Sequence, residues 1–361
     1  MGSASQTKEI HQKIVELIDS GSPFALVTVL KADGSTPQKV GAKAVIDDTG
    51  KIWGTLGGGR VEAEAQRRTI EACELKQPLV FDFQLSGAGV ESFESLCGGA
   101  MRLLIDTTAA KNRAAYVHTA RSLKERRGGV LVTTIFNADK PKITVRWFWQ
   151  SDISSETANA EAIRSCLRRE TCLLLSADQQ ESETSTEVFV EPIFPRPRLL
   201  IAGGGHIGQA LARQGVCLDF DVTVLDDRAE FTNSALFGDD VTTLCGDISK
   251  QLADFPVDTD TYVVIVTRGH KNDAEALEAC IHSNAAYIGM IGSKRKVALI
   301  RESFIASGIA TEQQLCRVFA PVGLDIGAIT VPEIATSIAA QLIAVRRKGT
   351  AGAKAEDMTL P

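Results

Sequence analysis

Residues 196–212 read RPRLLIAGGGHIGQALA, and residues 220–228 read FDVTVLDDR. A short apolar strand leads into a G-x-G-x-x-G pattern formed by Gly203, Gly205 and Gly208, and a helical stretch follows. A second apolar strand then ends in Asp226. A glycine pattern in this strand–turn–helix–strand–acid context is typical of a dinucleotide-binding βαβ unit, so it predicts a Rossmann-like fold.

Each residue of this pattern has a physical reason to stand where it does. Gly203 permits a tight turn, Gly205 lets the backbone approach a pyrophosphate, and Gly208 lets helix and strand pack closely. The helix N-terminus offers N–H groups that attract an anion, and His206, inside the glycine loop, either caps a phosphate or merely fills the turn. Asp226 is placed to bind ribose hydroxyls and to repel a 2′-phosphate. The alternative, in which the glycines only form a tight turn and bind nothing, stays open.

Length and composition limit the class of protein. The chain has 361 residues, enough for two domains, and its 44% hydrophobic and 23% charged residues are typical of a soluble globular protein. A net charge of −6 argues against a nucleic-acid partner. The eight cysteines form no C-x-x-C pair, which fits reduced thiols in a cytoplasmic protein. We expect neither a membrane segment nor a signal peptide, because no apolar run is long enough.

A proline-rich stretch at residues 192–197 predicts a domain boundary. We expect an α/β protein with an N-terminal α+β domain over 1–195, a C-terminal Rossmann-like doubly wound parallel-sheet domain over 196–347, and a flexible tail over 348–361. The second domain has predicted strands in the order 3-2-1-4-5, at 199–202, 222–225, 241–244, 261–267 and 286–291. The first has predicted strands at 24–30, 42–46, 52–56, 79–83, 101–105, 130–136, 143–149 and 188–193, with helices at 8–20, 61–75, 112–127 and 156–169.

Three consecutive glycines, Gly57, Gly58 and Gly59, stand between a predicted strand and a predicted helix and are followed by Arg60. Their backbone N–H groups form a nest for an anion, and Arg60 adds a cation that binds phosphate with two N–H groups. Glu62 either orients Arg60 or caps the helix. The alternative is a tight turn that needs positive φ, with Arg60 solvated.

A cysteine followed by two glycines, Cys97-Gly98-Gly99, precedes the predicted strand at 101–105. A thiolate there would have open backbone around it, and thiolates are soft ligands for transition metals and carriers of sulfur. The alternative is a buried cysteine that acts as a small hydrophobic residue.

Two basic clusters end strands of the second domain. Arg268 and His270 follow the fourth strand, which should neighbour the first strand at the switch point, so both are expected beside Gly205 as an anion site. A second cluster, 292–296, follows the fifth strand. Asp247 follows the third strand and is a weaker candidate for contact with an adenine. A solvated loop is the alternative for the basic residues.

Taken in order, these segments resemble the XdhC/CoxI family, the accessory factors for maturation of xanthine dehydrogenase and related molybdenum hydroxylases. The resemblance covers about residues 10–347, with a less matched middle. It rests on Gly34-Ser-Thr-Pro37, Gly41-Ala-Lys43, Gly54-Thr-Leu-Gly-Gly-Gly59 with Glu62, Cys97-Gly-Gly99, Ala202-Gly-Gly-Gly-His-Ile-Gly208, Asp226-Asp-Arg228, Thr267-Arg-Gly-His270 with Asp273, Ile288-Gly-Met-Ile-Gly-Ser-Lys-Arg295 and Pro321-Val-Gly-Leu-Asp-Ile-Gly327.

The resemblance implies a chaperone that binds the molybdenum cofactor (molybdopterin with molybdenum), supports its sulfuration and inserts it into an apo molybdenum hydroxylase of the xanthine dehydrogenase type. It also implies a cysteine desulfurase as partner, and a homodimer. Cys97 becomes the candidate molybdenum contact. Many family members have a cysteine where this chain has Arg60, so an anion contact replaces a second thiol there. The chain is too short, and lacks the cysteine clusters, to be a xanthine dehydrogenase itself.

Two other functions stay open. The Rossmann-like domain with Asp226 also fits an NAD(P)-dependent oxidoreductase, although the sequence has no evident set of hydride-transfer residues. A regulatory protein that senses NAD or another nucleotide is the second alternative.

Overall fold

The structure is a computed structural model of the chain that describes residues 3–85, 99–137, 140–155, 157–177 and 185–357. These residues form two compact units, one over Ser3–Pro195 and the other from Arg196 onward. The N-terminal unit has antiparallel sheets and the C-terminal unit has a parallel Rossmann-like sheet, which confirms the predicted fold class.

The N-terminal unit is built on two antiparallel sheets. The strands are β1 Phe24–Asp33, β2 Lys43–Asp47, β3 Ile52–Gly54, β4 Leu79–Gln84, β5 Ala100–Asp106, β6 Gly129–Phe136, β7 Lys142–Trp149, β8 Leu173–Ala177 and β9 Thr186–Ile193. Their orders in the two sheets are β3-β2-β1-β5-β4 and β7-β6-β9-β8. The helices are α1 Ser3–Ser20, α2 Gly59–Leu75, α3 Arg113–Lys124 and α4 Ala160–Arg169.

Both faces of the five-stranded sheet are covered, because side chains alternate between the two faces of each strand. Leu103 of β5 belongs to a core with Val61 of α2. The next residue, Leu104, belongs to a second core with Ile14 of α1 and Phe189 of β9. The sheet is therefore the central layer of the N-terminal unit.

Register places three connecting segments at one end of this sheet. Asp33 at the end of β1 pairs with Ala100 at the start of β5, and Ala100 also pairs with Gln84 at the end of β4. Gly54 at the end of β3 pairs with Ala44 of β2. Three segments therefore lie at the same end of the sheet: the one that follows β1, the one that follows β3 and the residues just before β5.

Several predicted boundaries in this unit are wrong. The strand predicted over 52–56 ends at Gly54, because Thr55 takes part in the turn before α2. The helix predicted from 156 begins at Ala160, after Asn159 adopts a left-handed conformation with φ 61°. Strand β8 was not predicted, because its five residues lack a clear alternation and directly follow a helix.

The C-terminal unit is a six-stranded parallel sheet with helices on both faces. Its strands are β10 Arg198–Ala202, β11 Asp221–Asp226, β12 Val241–Cys245, β13 Thr261–Ile265, β14 Tyr287–Met290 and β15 Val318–Phe319. Its helices are α5 His206–Cys217, α6 Ile248–Asp254, α7 His270–Cys280, α8 Lys294–Ala306, α9 Glu312–Leu315 and α10 Val331–Asp357. The sheet order is β12-β11-β10-β13-β14-β15.

This order confirms the predicted arrangement 3-2-1-4-5 and adds β15 at the edge beside β14. Two residues are too few for a periodic signal, so β15 was missed. The fourth strand ends at Ile265 rather than at 267, because Thr267 turns away to bond Asp273. The last element, α10, contains a non-helical residue, Gly349 with φ 73°, two positions after the predicted end of the domain at 347.

Two apolar cores lie on the two faces of the parallel sheet. Leu199 and Ile201 of β10 face one core, and Leu200 and Ala202 face the other. A strand buried on both faces reads as a continuous apolar run, which is why the sequence signal for β10 is strong. Within the described part of the chain, no helix is both long and apolar enough to cross a membrane.

Candidate functional site

The turn before α2 has three glycines with positive φ, at 107° for Gly57, 76° for Gly58 and 58° for Gly59. A Cβ on Gly57 would lie 2.6 Å from the Cβ of Pro37, so Gly57 permits a contact with the turn at 34–37. Among the described atoms, none lies within 4 Å of the Cβ position of Gly58 or Gly59. The turn is therefore strained without glycine and is open on one side.

Glu62 holds this turn in place. Its Oε1 accepts hydrogen bonds from Thr55 Oγ1 at 2.6 Å and from the Leu56 N–H at 2.8 Å, while Thr55 Oγ1 accepts from the Gly57 N–H at 3.0 Å. Burial of Glu62 favours its neutral form, but these hydrogen bonds outweigh it and keep the pKa of Glu62 below its usual range. Glu62 thus supports the glycine turn rather than orienting Arg60.

Helix α2 begins at Gly59, and Gly59 and Arg60 of its first turn are exposed, whereas Val61 is buried. Within the described residues no side chain caps it at Gly58, and the first N–H groups of a helix have no acceptor inside the helix. Arg60 is exposed in that first turn. The start of α2 therefore has N–H groups without an acceptor inside the helix and one exposed cation, beside the carboxylate of Glu62, which already accepts hydrogen bonds from the Leu56, Gly57 and Gly58 N–H groups.

The segment entering β5 meets the same region. A Cβ on Gly99 would lie 2.3 Å from the Ser35 carbonyl oxygen and 3.0 Å from that of Asp33. The turn at 34–37 thus contacts Gly99 through Ser35 and Gly57 through Pro37. Three motifs that are far apart in sequence converge at one end of the sheet.

Two predicted residues of this region, Cys97 and Gly98, lie outside the described residues. Their neighbour Gly99 has no side chain, but its carbonyl oxygen accepts from the Leu85 N–H at 2.9 Å, across the end of β4. The roles predicted for Cys97 and Gly98 therefore stay predictions.

In the C-terminal unit, the glycines of the fingerprint have different surroundings. A Cβ on Gly203, which has φ 119°, would lie 2.4 Å from the Val266 carbonyl oxygen, and one on Gly208 would lie 1.9 Å from the Gly203 carbonyl oxygen. No described atom lies within 4 Å of the Cβ position of Gly205, which is the N-cap of α5. The exposed His206 follows it. Gly203 and Gly208 serve packing, and Gly205 faces open space.

Asp226 is almost completely buried and is already hydrogen-bonded. Its Oδ2 accepts from the Gly204 N–H at 2.8 Å and from Arg228 Nη2 at 3.0 Å, and its Oδ1 accepts from Arg228 Nε at 2.9 Å. Burial raises the pKa of Asp226, but the hydrogen bonds from Arg228 and Gly204 bring it below its usual range. The sequence predicted Asp226 as a site residue but did not predict its ion pair with Arg228, two positions later.

The end of β13 lies beside the glycine loop, as Gly203 touches Val266. There the fully buried Asp273 accepts from the Thr267 N–H at 3.1 Å and from the Thr267 hydroxyl, and it forms an ion pair with Lys296. This network ties the first turns of α7 and α8 to the strand. Sequence reasoning did not find the network, because its members are spread over thirty residues.

The predicted basic residues Arg268 and His270 are exposed next to this network. His270 begins α7 after Gly269, which has φ 94°. Asp247, a predicted adenine contact, caps α6 by accepting from the Lys250 N–H at 2.8 Å. Across the part of the chain that the structure describes, no group of three or more His, Cys, Asp or Glu side chains is arranged to hold a metal ion.

Comparison with known families matches a segment of each unit. The description "XdhC Rossmann domain" matches residues 199–342, and "XdhC and CoxI family" matches residues 17–84. The chain belongs to the XdhC/CoxI family. The first match covers the glycine loop and Asp226, and the second covers the turns at 34–37 and 57–59.

Relatives of this XdhC/CoxI protein extend over most of its length. It is 25% identical over 95% of its length to the uncharacterized protein YqeB of Escherichia coli, but it spans only 47% of YqeB. It is 24% identical to a probable xanthine dehydrogenase subunit of Bacillus subtilis, covering 94% of this chain and 98% of that one. It is 22% identical to the molybdenum cofactor insertion chaperone PaoD of Escherichia coli, covering 92% and 86%.

A solved structure shares the fold. The crystal structure of a xanthine dehydrogenase from Bacillus halodurans superimposes with a TM-score of 0.70 at 22% identity, and the match covers 92% of this chain and 96% of that chain. At this identity the likeness concerns the fold alone.

Proposed function

We propose that this chain binds the molybdenum cofactor, supports its sulfuration and inserts it into a molybdenum hydroxylase of the xanthine dehydrogenase type. The observation that carries the proposal is the convergence of the turns at 34–37 and 57–60 with Gly99 at one end of the five-stranded sheet. Membership of the XdhC/CoxI family and similarity to a protein named a molybdenum cofactor insertion chaperone support it.

The glycine turn is the proposed site for the cofactor's phosphate. Gly58 and Gly59 leave the backbone accessible, and the first N–H groups of α2 have no acceptor inside the helix and would meet an anion. Arg60 adds a guanidinium that binds phosphate oxygens with two N–H groups. The cofactor is an anion, and the exposed Arg60 supplies a positive charge at this turn.

The proposed molybdenum contact is Cys97, with Gly98 leaving space beside it. A thiolate is a soft ligand that suits a metal already held by the sulfur atoms of molybdopterin. The contact of Gly99 with Ser35 supports this role, because it keeps the chain next to Cys97 close to the turn at 34–37.

The C-terminal crevice is proposed as a second ligand site. Gly205 and His206 at the start of α5 would bind the phosphate of a nucleotide or of a nucleotide extension of the cofactor, with Gly203 and Gly208 packing the loop behind them. Arg268 and His270 would add positive charge at the end of β13. NAD is the alternative ligand, and it would make the chain an NAD(P)-dependent oxidoreductase or a nucleotide sensor.

The proposed partners follow from the chemistry of delivery. Sulfuration needs a sulfur donor, for which a cysteine desulfurase is the proposed source, and the recipient is an apo hydroxylase. We also propose a homodimer in the cytoplasm. Sedimentation velocity of the purified chain tests the dimer, and a monomer at micromolar concentration contradicts it.

Retention of cofactor tests the binding role. The protein is incubated anaerobically with molybdenum cofactor and desalted, and bound molybdenum and pterin are measured. We expect about one of each per chain, and at least a fivefold loss in Cys97→Ala and in Arg60→Ala. Cys73→Ala is the matched control, since burial raises the pKa of this half-buried thiol in α2 to about 11 and makes it a poor ligand. Equal retention in all four proteins contradicts the proposed site.

Transfer of cofactor tests the delivery role. Loaded protein is mixed with a cofactor-free xanthine dehydrogenase-type enzyme, with and without a cysteine desulfurase and cysteine, and hydroxylase activity is followed. We expect activity above that obtained with free cofactor, and a further rise with the desulfurase. Activity no higher than with free cofactor contradicts delivery.

A further inference from the structure

Arg228 is hydrogen-bonded to the carboxylate of Asp226, which lies beside the Rossmann glycine loop. Its Nε lies 2.9 Å from Asp226 Oδ1 and its Nη2 lies 3.0 Å from Oδ2, while its backbone N–H lies 3.0 Å from Oδ1. This is the bidentate form of an arginine–carboxylate pair, which is the strongest of its kind. Asp226 is only 1% exposed, so its remaining lone pairs face the protein rather than solvent.

The guanidinium of Arg228 is also held from its other side. It stacks on the ring of Phe231, with its Cζ 3.8 Å from the ring centroid. The carbonyl oxygen of Phe231 in turn approaches Gly204, where an added Cβ would lie 2.2 Å from it. Arg228 and Phe231 together therefore cover the end of β11 next to the glycine loop.

The crevice around the glycine loop at 203–208 has side chains of opposite net charge on its β11 and β13 sides. On the β11 side, Arg228 is surrounded by the carboxylates of Asp226, Asp227 and Glu230, and Asp227 Oδ1 lies 3.6 Å from its Nε. On the other side, the residues after β13 and β14 expose the cations Arg268, Lys294 and Arg295, together with His270. A phosphate is repelled by the first side and attracted by the second.

We propose that Arg228 determines the ligand specificity of this crevice: it replaces a ribose diol at Asp226, so the crevice rejects NAD-type dinucleotides and accepts compact phosphate esters on its β13–β14 side. In dinucleotide-binding folds the acid at this place binds ribose hydroxyls. A ribose that used Asp226 here would first have to displace two charge-assisted hydrogen bonds, and neutral hydroxyls replace them with weaker ones.

The proposal rests on the phosphate site proposed at the glycine loop, but it does not depend on cofactor binding in the N-terminal unit. Calorimetric titration of the full chain with NAD⁺ and with inorganic pyrophosphate, at one fixed ionic strength, tests it. For the natural sequence we expect pyrophosphate to bind at least tenfold more tightly than NAD⁺. In Arg228→Ala we expect NAD⁺ affinity to rise at least tenfold while pyrophosphate affinity changes less than threefold.

Two further variants keep the test decisive. Arg228→Gln keeps a polar side chain but removes the positive charge and the bidentate pair with Asp226, in case Arg228→Ala does not fold, and it should show the same direction of change. Arg213→Ala removes an exposed arginine from α5 of the same unit and should change neither affinity.

Three results would overturn the proposal: equal binding of the two probes by the natural sequence, an unchanged affinity ratio in both Arg228 variants, or no binding of either probe by any variant. Cofactor retention is measured separately, so failure here leaves the result for the N-terminal site unaffected. Conversely, loss of retention in an Arg60 variant does not alter these titrations.

Discussion

The three fingerprint glycines should respond differently to the same substitution, Gly→Ala. In Gly203→Ala the new Cβ would lie 2.4 Å from the Val266 carbonyl oxygen, and the residue would keep φ at 119°. Strain at such a φ costs about 1–3 kcal/mol, and overpacking adds about 1–3 kcal/mol. In Gly208→Ala the Cβ would lie 1.9 Å from a backbone oxygen, so strand and helix must move apart. We therefore expect each variant to lose roughly 3 kcal/mol or more of unfolding free energy.

Gly205→Ala is the matched control from the same loop. No described atom lies within 4 Å of its Cβ position, and its φ of −65° suits any residue. The only loss is therefore that alanine is a poorer N-cap than glycine. That loss is about 1 kcal/mol or less. Thermal unfolding of the C-terminal unit, followed by calorimetry, should show a fall in Tm of at least about 6 °C for the first two variants and about 3 °C or less for the third. Equal shifts in all three would refute the packing argument.

Burial lowers the pKa of His11 from an ordinary 6.5 to about 3, with Lys43 adding to the effect, so only the unfolded chain takes up this proton between these pH values. The free energy of unfolding should therefore fall by about 1.4 kcal/mol for each pH unit below pH 6.5. In urea titrations, His11→Leu should make this dependence on pH weaker. Lys43 and Glu191 form an ion pair 2.5 Å apart, with both side chains more than 90% buried. Lys43→Met should therefore lower the free energy of unfolding by about 3–5 kcal/mol, and adding Glu191→Leu should restore most of that loss. A double variant whose effect is the sum of the two single effects would contradict the pairing. Burial raises the pKa of Cys166 to about 12, whereas Cys245 is exposed, so mass spectrometry after iodoacetamide at pH 8 should find Cys245 modified first; the reverse order would show that Cys166 is accessible.

The Rossmann half was predictable because its signals are local. A strand buried on both faces reads as an apolar run, and the glycines and Asp226 stand at fixed distances from it. The pairing of β1 with β5 joins segments about seventy residues apart, and nothing in either strand specifies the partner. The topology of the N-terminal unit was therefore out of reach of pattern reasoning.

The candidate sites divide in the same way. Glycine permits positive φ, so the sequence could suggest a turn that needs it at Gly57, Gly58 and Gly59, and all three residues have positive φ in the structure. The contact of Gly99 with Ser35 depends on strand register, so sequence reasoning found both motifs without finding that they touch. Arg228 was visible in the sequence, but its engagement of Asp226 depends on a side-chain conformation that spacing does not specify.

Hydrogen–deuterium exchange of the full chain, with and without molybdenum cofactor, tests the central proposal most directly because it reports on every segment without a mutation. We predict that bound cofactor slows exchange in peptides covering residues 34–37 and 57–60, where backbone N–H groups would meet the ligand. Peptides covering the distant strands β6 and β7 should not change. Protection confined to residues 203–208 and 267–270 would contradict the proposal and move the cofactor site to the Rossmann crevice.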